Sequence, residues 1–189
     1  SEGKNITETI HVLGISGSLR KGSYNSLLLR AAQELLPEGM HLEIADISDI
    51  PLYNGDLDKD PQPAAVTDFK AQIRAADALL IATPEYNYSV PGVLKNALDW
   101  ASTPAKDSPF TEKPAAIMGA GGLMGTSRAQ YHLRQMAVSL NLRLLNRPEV
   151  FVNYASQHFD ADGRLVTELH RQNIQLLLAA LKDWTLKLR

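Results

Sequence analysis

Gly14-Ile15-Ser16-Gly17-Ser18-Leu19-Arg20-Lys21-Gly22-Ser23-Tyr24-Asn25-Ser26 joins an apolar run, Ile10 to Ile15, to a run of helical period, Leu27 to Leu36. The composition of the junction suits an anion. Small residues let backbone N–H groups turn inward, the hydroxyls and Asn25 add neutral donors, Arg20 adds a cation, and the following helix points its positive end at the loop. A phosphate monoester fits such a cradle, but so would an ordinary strand-to-helix turn, and the loop alone leaves both readings open. Gly17 and Gly22 have the spacing of a nucleoside triphosphate loop, yet Ser23 stands where that motif needs lysine, which disfavours a triphosphatase. The glycines at 14, 17 and 22 also miss the G-x-G-x-x-G spacing, and no pattern fixes an acidic residue at the ribose position, so a first-strand dinucleotide site is weak.

Working outward, apolar runs alternate with runs of helical period, and Gly, Pro, Asp or Asn marks each change. Ile10–Ile15 reads as the first strand, followed by a helix capped by Asn25 or Ser26 and ended by Pro37 and Gly39. Met40–Ala45 is the second strand, a long Asp- and Pro-rich loop covers Asp46–Pro63, and a helix runs from about Ala64 to Ala75. Asp77–Ala82 is the third strand. It enters Thr83-Pro84-Glu85-Tyr86-Asn87-Tyr88-Ser89-Val90-Pro91-Gly92, after which Val93, Leu94, Ala97, Leu98 and Trp100 form the buried stripe of a helix. Ala115–Gly119 is a fourth strand ending in Gly119-Ala120-Gly121-Gly122-Leu123-Met124-Gly125, then a helix from about Thr126 to Asn141. A fifth strand lies around Leu144–Val152, with Pro148 implying an edge or a bend, and a last helix spans about Leu165–Leu186.

Five βα units with near-continuous apolar strands imply an α/β doubly wound parallel sheet, flavodoxin-like, in the order 2-1-3-4-5 with helices on both faces. The loops after strands one, three and four then meet over one crevice at the switch point. The 189 residues, 44% apolar and 21% charged, suit a single domain over 1–189. A net charge of −2 supplies no field for nucleic acid or an anionic membrane, and the lack of cysteine excludes disulfides, thiolate metal sites and a cysteine nucleophile. The five histidines are scattered, so no metal is expected. No apolar run reaches membrane length and the polar Ser1–Thr9 lacks a signal-peptide pattern, which gives the expectation of a cytoplasmic protein.

The three loops together describe a flavin mononucleotide (FMN) site. The first takes the phosphate, Pro84–Ser89 offers N–H groups, Asn87 and two tyrosines to a flat heteroaromatic ring, and Gly119–Gly125 lets backbone approach the pyrimidine end. Here the chain resembles the NADPH-dependent FMN reductases of flavodoxin-like fold, particularly bacterial soluble quinone and chromate reductases. The likeness rests on Gly17–Asn25, on Thr83–Gly92 with Leu94-Lys95-Asn96-Ala97-Leu98-Asp99-Trp100 behind it, and on Arg128-Ala129-Gln130-Tyr131-His132-Leu133-Arg134. It implies that Ser18, Arg20, Ser23, Asn25 and the backbone of Leu19, Lys21, Gly22 and Tyr24 hold the phosphate. Pro84, Glu85, Tyr86, Asn87 and Tyr88 would line the isoalloxazine, with Ala120 and Gly121 offering backbone. It also implies a homodimer or homotetramer, for which Arg128, Tyr131 and Glu149 are candidate interface residues.

The resemblance implies a ping-pong reaction in which NAD(P)H passes hydride to bound FMN and leaves, and a quinone then takes the electrons; chromate, other metal oxyanions, azo dyes and free flavin are opportunistic acceptors. No side chain need act as acid or base; the chemistry belongs to the flavin. Glu85 is read as shaping its loop, Trp100 as core, and Met118, Met124 and Met136 as packing. The alternative function is a flavodoxin-like electron carrier that does not oxidise NAD(P)H itself. A receiver domain shares the topology but lacks its acidic residues, since Ser16, Gly17, Thr83 and Pro84 stand in their places.

Overall fold

The computed structural model describes residues 8–189, so most of the polar Ser1–Thr9 stretch lies outside the described residues. The elements follow one another as β1 (Ile10–Ser16), α1 (Tyr24–Glu34), β2 (Met40–Ala45), α2 (Ala64–Ala75), β3 (Ala78–Ala82), α3 (Gly92–Ala101), β4 (Pro114–Ala120), α4 (Ser127–Leu140), β5 (Arg143–Leu144), β6 (Phe151–Val152) and α5 (Glu168–Lys187). All strand pairs are parallel, in the order β2-β1-β3-β4-β5, with β6 also on β4. This is the doubly wound, flavodoxin-like order. The alternating period of the strands divides the core in two. Leu80 and Met118 meet Leu28, Leu29, Ile174 and Leu178 of α1 and α5 on one face. On the other, Leu79 and Ile81 meet Phe69, Ile73, Leu94, Leu98 and Leu133 of α2, α3 and α4. Trp100 is fully buried, as its helical phase required.

Three boundaries differ from the sequence reading. Helix α1 starts at Tyr24 with Ser23 as its cap, because the Ser23 hydroxyl accepts the Asn25 N–H at 3.2 Å while Asn25 turns its side chain inward. The fifth strand is two short pieces. β5 pairs with the start of β4 and β6 with its end, and Pro148, which has no N–H to give a ladder, lies in the gap between them. Helix α5 begins at Glu168, since Leu165 instead bridges to Phe159. Met124 is 43% exposed and does not pack in the core, unlike Met118.

Candidate functional site

β1, β3 and β4 all end at the same edge of the sheet, and the loops that leave them surround a cavity of about 410 Å³. Ser18, Arg20, Ser23, Tyr24, Asn25, Pro84, Glu85, Tyr86, Ala120 and Gly121 line it, together with Gly122, Tyr154, Ala155 and Ser156. Of the residues singled out by sequence, Leu19, Lys21, Gly22, Asn87 and Tyr88 are not among its lining. The stretch Tyr154–Ser156 escaped the sequence reading. No motif marks it: it follows β6, at the sheet edge where the other three loops emerge, and its tyrosine sits in left-handed backbone at φ 47°.

The first loop is organised by its own hydroxyls. Ser16 Oγ lies 2.9 Å from Ser26 Oγ, Ser18 Oγ accepts the Arg20 N–H at 3.3 Å, and the Ser23 N–H donates to Arg20 O at 3.1 Å. The N–H groups of Leu19, Lys21, Gly22 and Tyr24 have no acceptor among the described residues. The loop that carries them runs into the N-terminus of α1, whose positive end favours an anion. The Arg20 guanidinium lies 5.6 Å from the centre of the Tyr24 ring, beside the cavity. Gly17 sits where the first loop passes the second: a Cβ there would stand 2.9 Å from Pro84 Cδ and 3.1 Å from Pro91 Cγ.

The second loop is a hairpin. Tyr86 and Ser89 exchange both backbone hydrogen bonds at 3.0 Å, and the two residues between them have positive φ, Asn87 at 49° and Tyr88 at 71°. Two such residues make the type I′ turn, for which Asn is well suited and Tyr is not. The conformation is held from α4. Glu85, its side chain almost buried, accepts Arg128 Nε at 2.6 Å and the Ala129 N–H at 2.9 Å, and the Arg128 guanidinium lies 3.7 Å from the centre of the Tyr88 ring. Burial pushes the Glu85 carboxyl up, but the hydrogen bonds from Arg128 and Ala129 and the charge of Arg128 outweigh it and hold the group below its ordinary value. Arg128, a candidate for an interface between subunits, thus also has an ionic partner within the chain. Tyr131 is 71% exposed on the outer face of α4, Glu149 is exposed, and Arg128 keeps about a third of its side chain at the surface, so all three are accessible to a partner.

The glycine loop corrects another expectation. The Ala120 N–H and C=O are both taken by the Asn25 carboxamide, at 2.9 and 3.0 Å, and the Gly121 N–H donates to Val152 O at 3.0 Å. Neither N–H is open to a ring, because the first is held by the Asn25 side chain and the second by the end of β6; the Gly122 N–H has no acceptor among the described residues. Gly119 must be glycine, since a Cβ would meet Thr126 Oγ1 at 1.9 Å and Thr83 O at 2.6 Å.

Residues 10–157 match the family described as NADPH-dependent FMN reductase. An NAD(P)H-dependent FMN reductase of Pseudomonas aeruginosa is 58% identical over 97% of this chain and 100% of its own length. An NAD(P)H:quinone oxidoreductase of Solanum tuberosum is 47% identical over 95% of each chain. Among solved structures, a flavoenzyme NAD(P)H:(acceptor) oxidoreductase of Paracoccus denitrificans superposes with a TM-score of 0.87 at 34% identity, covering 95% of this chain and 98% of its own. With the sheet order, the crevice and these likenesses in agreement, the chain belongs to the NADPH-dependent FMN reductase family, and it is an oxidoreductase with FMN as cofactor and NAD(P)H as co-substrate.

Proposed function

We propose that the protein is an NAD(P)H:quinone oxidoreductase that works through FMN held in the crevice at the ends of β1, β3 and β4. The observation that carries this reading is the pairing of an anion cradle with a cavity lined by Pro84, Tyr86 and the Gly121–Gly122 backbone. Four N–H groups without acceptors, the Ser18 and Ser23 hydroxyls and Arg20 suit the phosphate monoester, and a cavity of about 410 Å³ that Tyr86, Gly121 and Gly122 also line has room for a planar ring. Bound there, the flavin supplies hydride acceptance from NAD(P)H and two-electron delivery to an acceptor. The chain supplies the rest. The cradle fixes the phosphate, the Glu85–Arg128 pair fixes the hairpin beside the ring, and exposed Tyr86 and Tyr88 leave an open approach for co-substrate and acceptor in turn, as a ping-pong sequence needs.

Quinones are the preferred acceptors, in keeping with the names of the relatives, which include a 2-hydroxy-1,4-benzoquinone reductase of a Burkholderia species. So open a site gives little selectivity, and chromate, azo dyes and free flavin follow as opportunistic acceptors. The outer face of α4, with Tyr131 and Val138 71% and 82% exposed, is the surface for a homodimer or homotetramer, joined by Glu149. Among the described residues no helix is long and apolar enough to cross a membrane, and a cytoplasmic setting is proposed with the function. The deciding experiment is the visible spectrum of the purified protein without oxygen. Flavin bands that bleach with NADPH and return with a benzoquinone support the reductase, and parallel double-reciprocal plots support ping-pong. Bands that persist with NADPH favour an electron carrier; no uptake of added FMN overturns the reading of the crevice.

A further inference from the structure

Asn25 is the second residue of α1 and only 2% exposed. Its carboxamide meets one residue 95 positions away at two points: Nδ2 donates to Ala120 O at 3.0 Å and Oδ1 accepts the Ala120 N–H at 2.9 Å. An amide side chain is the neutral group that offers donor and acceptor in one plane at this reach, so the pair reads Ala120 as another strand would. Ala120 is the last residue of β4. Immediately beyond it, Gly121 continues onto Val152 and Ala155, and Gly122 accepts from Tyr154. The start of α1, which closes the loop that carries the open N–H groups, and the strand end that leads into Gly121–Gly122 are thus tied to each other by the Asn25 side chain.

We infer that Asn25 is a positioning residue that couples the phosphate cradle to the Gly121–Gly122 loop of the flavin crevice, and that contact with a phosphate is not its main task. The inference rests on the reading of the crevice as an FMN site. One hydrogen of Nδ2 is left over by the two bonds, which is why binding data must separate the roles. Loss of the carboxamide leaves a buried N–H and C=O without partners and frees the cradle from the ring loop. The whole flavin then suffers, not the phosphate alone.

The test measures dissociation constants of FMN and of riboflavin, which lacks the phosphate, for wild type, Asn25→Asp and Asn25→Ser, with Arg20→Ala as the phosphate-contact control. Asn25→Asp keeps the shape but loses the donor to Ala120 O; Asn25→Ser admits water and serves if the charged variant does not fold. Asn25→Ser is expected to weaken FMN and riboflavin by the same factor, about tenfold, leaving their ratio intact, whereas Arg20→Ala collapses the ratio; Asn25→Asp, whose charge repels a phosphate, is read on riboflavin alone and should weaken it by a similar factor. A collapsed ratio in Asn25→Ser, or no change in either of its constants, overturns the proposal. Amide hydrogen exchange of the flavin-free protein supplies a readout independent of the cofactor. Exchange at Ala120 should quicken about tenfold or more in Asn25→Ser, which removes the acceptor of its N–H, while Val12 and Leu80 stay protected; unchanged exchange at Ala120 in that variant overturns the coupling. Failure of wild type to bind either flavin would instead overturn the functional reading and leave the exchange result to judge Asn25.

Discussion

Gly22 in the first loop and Tyr88 in the hairpin have the same backbone angle, φ +71°, and the contrast between them is the contrast between the two sides of the cavity. At Gly22 the left-handed turn is cheap, because glycine has no Cβ, and a Cβ there would meet nothing within 4 Å. At Tyr88 the same angle costs about 1–2 kcal/mol, and a neighbouring helix maintains it through Arg128 on the ring and Glu85 behind it. The cradle is made by residues within ten positions of one another. The hairpin is made by partners more than forty positions away, which is how strain persists at a functional site.

The largest expected effect comes where the two sides touch. Gly17→Ala sets a methyl against the rigid rings of Pro84 and Pro91, and should cost about 1–3 kcal/mol of stability, read as a lower midpoint in urea with an unchanged slope. FMN and riboflavin should both bind more weakly, since cradle and hairpin are pushed apart. A variant as stable as wild type would mean that the loops are not in firm contact. Next in size, Arg20→Ala should weaken FMN by roughly tenfold to a hundredfold, the worth of a hydrogen bond to a charged group, and leave riboflavin almost unchanged. Equal loss of both would show that Arg20 supports the loop and does not face the anion.

The two sides also differ in their response to acid. Glu85 has a folded-state pKa below its unfolded value of about 4.3, so its contribution is fully present above that value and is lost as pH falls through the lower folded value. The hairpin should therefore loosen in acid. Stability measured by urea in wild type and Glu85→Gln should differ at pH 7, and the difference should shrink as pH falls below about 4. A gap that stays constant into acid would remove the charge of Glu85 from the account.

This division explains what the sequence could disclose. The cradle was legible because its logic is local: strand, small and hydroxyl residues, then a helix, all contiguous from Gly14 to Ser26. The sheet order was legible for a similar reason, since continuously apolar strands joined by helices admit few arrangements. The fifth strand was blurred because Pro148 breaks a run whose ends still pair with β4. Long-range partners were not legible. Nothing in the sequence ties Asn25 to Ala120, Arg128 to Glu85, or Tyr154 to the cavity, and a charged helix residue such as Arg128 looks the same whether it faces a partner subunit or its own hairpin. The type I′ turn was hidden because Asn87 fits it and Tyr88 does not.

The smallest effect is the most direct test of the contrast. Gly22→Ala should lose about 1 kcal/mol through backbone angle alone, as nothing crowds the site. At Tyr88 the order of substitutions reverses the usual rule. Tyr88→Ala keeps the left-handed strain and forfeits the Arg128 contact, worth about 0.5–1 kcal/mol at an exposed ring. Tyr88→Gly forfeits the same contact but relieves the strain and places an Asn-Gly pair in the turn that favours it. The glycine variant should therefore be more stable than the alanine variant by a few tenths to about 1 kcal/mol, despite the larger unfolded-state entropy of glycine. Finding alanine the more stable of the two would mean that the Tyr88 backbone is free to leave the left-handed region once its ring is gone. The hairpin would then owe its shape to the ring on Arg128, and not to the pairing of Tyr86 with Ser89.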